Sequence, residues 1–172
     1  MKVLVISDIH GSGYYAEKIK EINEKENPDK IIALGDLYYH GPRNPLPEGY
    51  NPMEVAKKLN ELKDKIVCVR GNCDAEVDQM ISNFEIVERA DVEADGVKYT
   101  LTHGHHYNEE NIPENCGDVL LHGHTHVKLQ KEINGIKIIN PGSVSIPKDG
   151  SKSYIVIEDR NILFKIAEWN IH

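Results

Sequence analysis

Five times along this chain a strand-like apolar run leads into aspartate, asparagine or histidine: MKVLVISDIH, KIIALGD, IVCVRGNCD, KYTLTHG and DVLLHGHTH. Such β-branched runs read as strands, and the residues that follow them sit at the strands' carboxyl ends. In open α/β sheets those ends form the crevice where ligands bind. Asp8, His10, Asp36, Asn72, Asp74, His103, His124 and His126 are therefore expected to converge on one edge.

The segments between the first runs set the topology. Tyr14 to Lys25 carries Ala16, Ile19 and Ile22 amid charges, and Met53 to Lys65 is similarly amphipathic, so both read as helices. Strand alternating with helix argues for βαβ units and a parallel sheet. After Phe84 the chain turns β-rich: Asp95-Gly96 marks a tight hairpin, and GIKIINPGS, SYIVIED and ILFKIAEW continue as strands with little helix between. The expectation is an α/β fold of two packed mixed sheets flanked by helices, an α-β-β-α sandwich, forming one domain over residues 1–172.

A chain of 172 residues is long enough to bury a real core. The 28 acidic against 20 basic residues give a formal charge of −8, which disfavours long duplex nucleic acid and anionic membranes as partners. No apolar run approaches the ~20 residues of a membrane helix, and the N-terminus lacks a signal peptide's cleavage region. Cys68, Cys73 and Cys116 form no CxxC pair and read as reduced thiols. A cytoplasmic protein is expected.

Two loops stand out. Residues 38–52 hold Pro42, Pro45, Pro47 and Pro52, which forbid regular structure, and long ordered loops tend to be lids or binding elements. His105–Gly117 precedes the histidine cluster and is placed to share its rim.

Each motif alone has an ordinary reading: an aspartate before a turn, a capping residue, a strand-end histidine. Together the seven groups other than Asp74 supply two carboxylates, four imidazoles and one amide oxygen. Two cations sharing a bridging carboxylate use such a set and keep positions for water and substrate, whereas one zinc would strand several groups. Oxygen and nitrogen donors without thiolate suit Mn²⁺, Fe²⁺, Ni²⁺ or Zn²⁺.

SDIHG, GD, GNCD, LTHG and GHTH, in this order, resemble the signatures of the calcineurin-like metallophosphoesterase superfamily. GDLYYHGPRNPLPEGY, VRGNCDAEVDQM and NPGSVSIPK are similar to segments of its YfcE-like phosphodiesterases. The resemblance covers nearly the whole chain. It implies one metal on Asp8, His10 and His126, a second on Asn72, His103 and His124, and Asp36 bridging them, with Mn²⁺ foremost. It also implies hydrolysis of small phosphodiesters by a metal-bridging hydroxide, and a homo-oligomer, dimer or tetramer. His122 is left as a residue that orients its neighbours.

Where many superfamily members carry histidine after Gly-Asn, this chain has Cys73, a weaker donor that brings no positive charge. Cys73, Asp74 and Arg43 are the catalytic candidates, Asp74 as a residue that orients a neighbouring ligand, and His105 or His106 is a substitute donor to the leaving group. Arg43, Asn44 and His105 are the substrate-binding candidates, Arg43 because its planar fork takes two phosphate oxygens. Tyr38, Tyr39 and Tyr50 are candidates to cover the substrate or meet another subunit, and Asn140–Ser143 reads as a turn beneath the site. A phosphomonoesterase is the nearest alternative. A non-catalytic protein-binding platform requires loss of ligands that are all retained here, and a metallo-β-lactamase-type zinc hydrolase lacks its Asp-His pair after HGHTH.

Overall fold

Parallel strands feed every loop of the candidate site. The structure, a computed structural model, describes residues 1–167. Strands β1 (Lys2–Ile6), β2 (Lys30–Ala33), β3 (Ile66–Val69) and β4 (Ile86–Val87) run parallel, and β10 (Ser153–Glu158) and β11 (Asn161–Ile166) extend that sheet antiparallel beside β1. The second sheet places β5 (Ala90–Ala94), β6 (Val97–Leu101), β7 (Val119–Leu121), β9 (Ile136–Pro141) and β8 (Lys128–Ile133) in that order, with β6, β7 and β9 parallel.

Alternation along the strands explains the layering. Val3, Val5, Ile32, Leu34 and Val69 face Tyr99, Leu101, Val119, Leu121 and Ile139 across the inter-sheet core. The opposite faces, Leu4, Ile6, Ile31, Ala33 and Cys68, pack under α1 (Gly13–Glu26) and α2 (Pro52–Asn60). Ser12 caps α1 by accepting from the Tyr15 N–H, and Asn27 ends it in the left-handed region.

The two mixed sheets and the helical outer layer agree with the expected architecture. Over the outer face of the second sheet the described residues place a loop rather than a helix. Thr102 donates to the carbonyl of Tyr107 and Gly117 N–H donates to Thr100, so loop 105–117 lies across that face. The helix expected over Met53 to Lys65 stops at Asn60, and Lys63–Lys65 tightens into a 3-10 turn that brings Ile66 level with Ile31. Strand β8 was not expected, because none of its side chains is buried; Asn134-Gly135, both at positive φ, closes its hairpin. The ILFKIAEW strand ends at Ile166, and its last two residues lie outside the described ones.

Candidate metal centre

The seven expected ligand residues meet in one place. Asp8 and His10 follow β1, Asp36 follows β2, Asn72 follows β3, His103 follows β6, and His124 and His126 follow β7. Donor atoms of Asp8, His10 and His126 lie within 4.8 Å of one another, and those of Asp36, His103 and His124 form a second such group. His10 Nε2 is 3.5 Å from Asp36 Oδ2, and His103 Nε2 is 3.0 Å from the same oxygen, so Asp36 stands between the two groups. Asn72 Oδ1 and His124 Nδ1 face each other at 3.0 Å.

The backbone is bent to aim these groups. Asp8, His10, Asp36, His124 and His126 all have φ between 50° and 74°, a conformation that costs about 1–3 kcal/mol for a non-glycine residue. Surrounding bonds enforce it. Ser143 Oγ donates to the carbonyl of Asp8 at 2.7 Å, Ser145 Oγ donates to the carbonyls of Asp8 and Ile9, and Asn140 Nδ2 donates to the carbonyl of Gly123. The Asn140–Ser143 turn thus packs beneath the site. A Cβ on Gly71 would strike the Asp36 carboxylate, and one on Gly123 would strike Ser7 Oγ.

Imidazole tautomers follow from the outer contacts. The Nδ1 atoms of His10, His103 and His126 donate to the carbonyls of Tyr39, Leu34 and Ile146 at 2.9, 2.6 and 2.8 Å. A carbonyl only accepts, so each Nδ1 keeps the proton and each Nε2 offers a lone pair to the site. Ser7 and the His124 N–H occupy Asp8 Oδ2, which leaves Oδ1 free.

These residues suit cations. Asp8 Oδ1 and His103 Nε2 are buried without a hydrogen-bond partner, a costly state for polar atoms unless an ion takes both. Electrostatics agree. Burial alone would lower the His103 pKa, yet the Asp36 carboxylate, 3.0 Å from Nε2, and the Asp8 charge push it up to about 9. Burial would likewise raise Asp8, but His10, His103 and His126 hold it well below the usual carboxylate range. The pocket is short of positive charge.

A cleft of about 760 Å³ opens above the centre, bordered by Tyr39, Arg43, Asn44, Cys73 and Lys148 as well as ligand residues. Burial, followed by the charge of Asp36, pushes the Cys73 thiol up to about 12, so it remains protonated at neutral pH. Asn44 borders the cleft while its amide donates to the carbonyl of His40, which steadies the turn presenting Arg43.

Asp74 is buried and accepts from the backbone N–H groups of Asp36, Leu37 and Gly71 at 2.8, 2.9 and 2.7 Å, so it positions the loop that carries Asp36. Two expectations need correction. His105 stacks beside His103 and His124 but is not among the cleft-lining residues, and burial lowers its pKa to about 4, so it is not a protonated donor at neutral pH. Tyr38 is 3% exposed with its hydroxyl on Ser82, which leaves Tyr39 as the loop's tyrosine at the cleft. His122 is buried beside Glu109 at 3.2 Å, beneath the ligand loop and away from the cleft. Ser7, Ser145 and Lys148 were missed; small polar residues at strand ends were the one signal available for the serines.

Residues 1–161 match the calcineurin-like phosphoesterase superfamily domain. The chain belongs to that superfamily. It is 44% identical to the phosphodiesterase YfcE of Escherichia coli strain K12 over 97% of this chain and 92% of that protein. It is 30% identical to a phosphodiesterase of Methanocaldococcus jannaschii over 83% of each. The solved structure of the E. coli phosphoesterase YfcE superposes with a TM-score of 0.88 at 39% identity, covering 98% of this chain and all of that one. Membership in this superfamily implies divalent cations, and the unpartnered donors described above are where this chain would hold them.

Proposed function

We propose that this chain is a metal-dependent phosphodiesterase acting on small phosphodiesters, with one cation on Asp8, His10 and His126, a second on Asn72, His103 and His124, and Asp36 between them. The observation that carries the reading is the pair of buried, unpartnered donors, Asp8 Oδ1 and His103 Nε2, at the focus of a ligand set drawn from five parallel strands. Similarity to YfcE and to the archaeal phosphodiesterase supports the reaction class.

Two cations held there supply Lewis acidity toward phosphoryl oxygens and lower the pKa of water from ~15.7 towards ~7. The chain's own residues do the rest. Asp36 and Asp8 fix the charge at the floor, and the carbonyl-anchored histidines keep their Nε2 lone pairs inward. Arg43 and Asn44 approach the substrate from the cleft wall. Water adds to phosphorus, the ester P–O bond breaks, and an alcohol leaves with a proton, giving a phosphomonoester. Cys73, whose thiol borders the cleft, is the candidate side-chain donor to the leaving oxygen, although a weak one.

We further take Mn²⁺ as the working ion, on the family resemblance; the oxygen and nitrogen donors of the seven ligand residues suit it. Residues 1–172 form one domain in this reading, and the protein works as a homo-oligomer in the cytoplasm, where Cys68, Cys73 and Cys116 stay as free thiols. No helix among the described residues is long and apolar enough to cross a membrane.

Hydrolysis of bis(p-nitrophenyl) phosphate and p-nitrophenyl phosphate by chelator-treated protein, with Mn²⁺ titrated back, tests the reading. Mn²⁺-dependent turnover that favours the diester and disappears in His124→Ala supports it. Turnover unaffected by chelator, or confined to the monoester, overturns it.

A further inference from the structure

Besides Arg43, the one lysine or arginine bordering the cleft among the described residues is Lys148, on the segment after β9. Its place is fixed from beneath. The Lys148 backbone N–H donates to the carbonyl of His126 at 2.9 Å, and His126 Nδ1 donates to the carbonyl of Ile146 at 2.8 Å. Pro147 between them has its own φ locked by the ring. This double link roots the lysine beside a ligand residue, and the flexible four-carbon stem leaves the ammonium free to reach into the cleft.

No ion pair neutralises Lys148 among the described residues. The adjacent Asp149 is already engaged, accepting from Lys128 N at 2.8 Å and from Lys128 Nζ at 2.9 Å. Arg43 likewise has no carboxylate partner there. The acidic residues that border the cleft are Asp36, in the ligand set, and Asp74, spent on three backbone amides. Two cationic side chains, one from each sheet, therefore face the opening uncompensated in a protein of formal charge −8.

Charge balance says what they face. In the reading proposed above, on which this inference rests, two divalent cations against the carboxylates of Asp8 and Asp36 leave a surplus of about two positive charges at the floor, of which the attacking hydroxide takes one. The other matches the single negative charge of a scissile diester. Asp74 offsets at most one more, so Arg43 and Lys148 together still carry positive charge that has no counter-charge on the reacting group. We propose that Lys148, with Arg43, grips a second anionic group, phosphate or carboxylate, on one arm of the substrate, so that the cleft selects phosphodiesters that carry one. Its volume of about 760 Å³ falls within the range of small-molecule sites and leaves room for such an arm.

Matched substrate pairs test the proposal with Mn²⁺-loaded native protein, Lys148→Met, Lys148→Arg and Arg43→Met. One pair is thymidine 5′-(p-nitrophenyl phosphate) with and without a 3′-phosphate. The other is a p-nitrophenyl phosphodiester of glycolic acid and its methyl ester. The ratio of KM within a pair cancels general damage to the site. Native protein is expected to favour the charged member by about fivefold to tenfold, the preference being lost in Lys148→Met, partly restored in Lys148→Arg and eroded by salt. A preference in the first pair alone identifies phosphate, and in the second alone carboxylate. Turnover of the uncharged members with no preference in either pair, or a preference that survives in Lys148→Met, overturns the role of Lys148 and leaves the phosphodiesterase reading standing. No turnover of any member overturns both.

Discussion

The Nε2 atoms of His10 and His126 lie 3.1 Å apart, and in the neutral rings neither has a proton to give the other. Both protons are on Nδ1, held by the carbonyls of Tyr39 and Ile146, so two lone pairs face each other with Asp8 Oδ1 at 3.5 and 3.4 Å. Such an arrangement is repulsive until a proton or a metal ion shares it; burial disfavours the charged His10 ring, but Asp8 and Asp36 raise its pKa. The strained backbone at both histidines shows that the surroundings, rather than the contact itself, hold them there.

Asp74 separates positioning from catalysis. Asparagine in its place has one acceptor oxygen for three backbone N–H donors, and its amide N–H would point at one of them. Asp74→Asn is expected to raise the Mn²⁺ concentration for half-maximal activity by about 10–100-fold, with kcat recovered at saturating Mn²⁺. A lost kcat that excess metal does not restore would make Asp74 catalytic.

Gly123 leaves no room for a methyl group. A Cβ there meets Ser7 Oγ and lies 2.7 Å from Asp8 Oδ2, the two atoms whose bond orients the Asp8 carboxylate. Gly123→Ala should therefore fold but bind Mn²⁺ at least about tenfold more weakly by calorimetry. Unaltered affinity would mean that Ser7 and Asp8 move aside without consequence.

The ligand set was legible because each member directly follows an apolar run, and the strand period fixes where a run ends. The support for that set was legible only in part: a turn at Asn140–Ser143 and an orienting Asp74 were expected, but not the bonds they make. Ser143 and Ser145 reach Asp8 from more than 130 residues away, and Asp74 acts through backbone amides of a different strand's loop, contacts that exist only after the sheets pair. The left-handed conformation of Asp8, His10, Asp36, His124 and His126 was equally hidden, since glycine is the usual mark of such positions. Strand β8 escaped because an exposed edge strand lacks apolar alternation, and Tyr38 was misjudged because proline-rich surroundings say nothing of one buried ring.

Cys73 bears on the leaving group. Its thiol borders the cleft and its backbone N–H donates to Asp36 Oδ1 at 2.8 Å, so a side chain at this position is aimed by the ligand it holds. Cys73→His should speed hydrolysis of aryl diesters with high leaving-group pKa and flatten the dependence of rate on that pKa, whereas Cys73→Ser leaves the slope as it is. An unchanged slope in Cys73→His would remove position 73 from leaving-group chemistry.

Acid sensitivity of the fold should trace in part to Glu26. Burial would raise its pKa, but Lys165 Nζ at 2.7 Å and Lys2 Nζ at 3.5 Å bring it below the ordinary value of 4.5. A carboxylate with its folded pKa depressed stabilises the fold above the unfolded pKa, and that contribution is lost as pH falls through the folded value. Glu26→Gln is expected to cost about 1–3 kcal/mol at pH 7 in urea unfolding, the difference shrinking towards pH 3. A deficit that stays constant across that range would assign the loss to packing alone.

Anomalous diffraction from crystals grown with Mn²⁺ tests the central claim most directly, because it locates the ions rather than their effects. Two peaks are expected, one enclosed by Asp8, His10 and His126 and the other by Asn72, His103 and His124, with Asp36 touching both. A single peak, or ions held by other residues, would contradict the dinuclear centre.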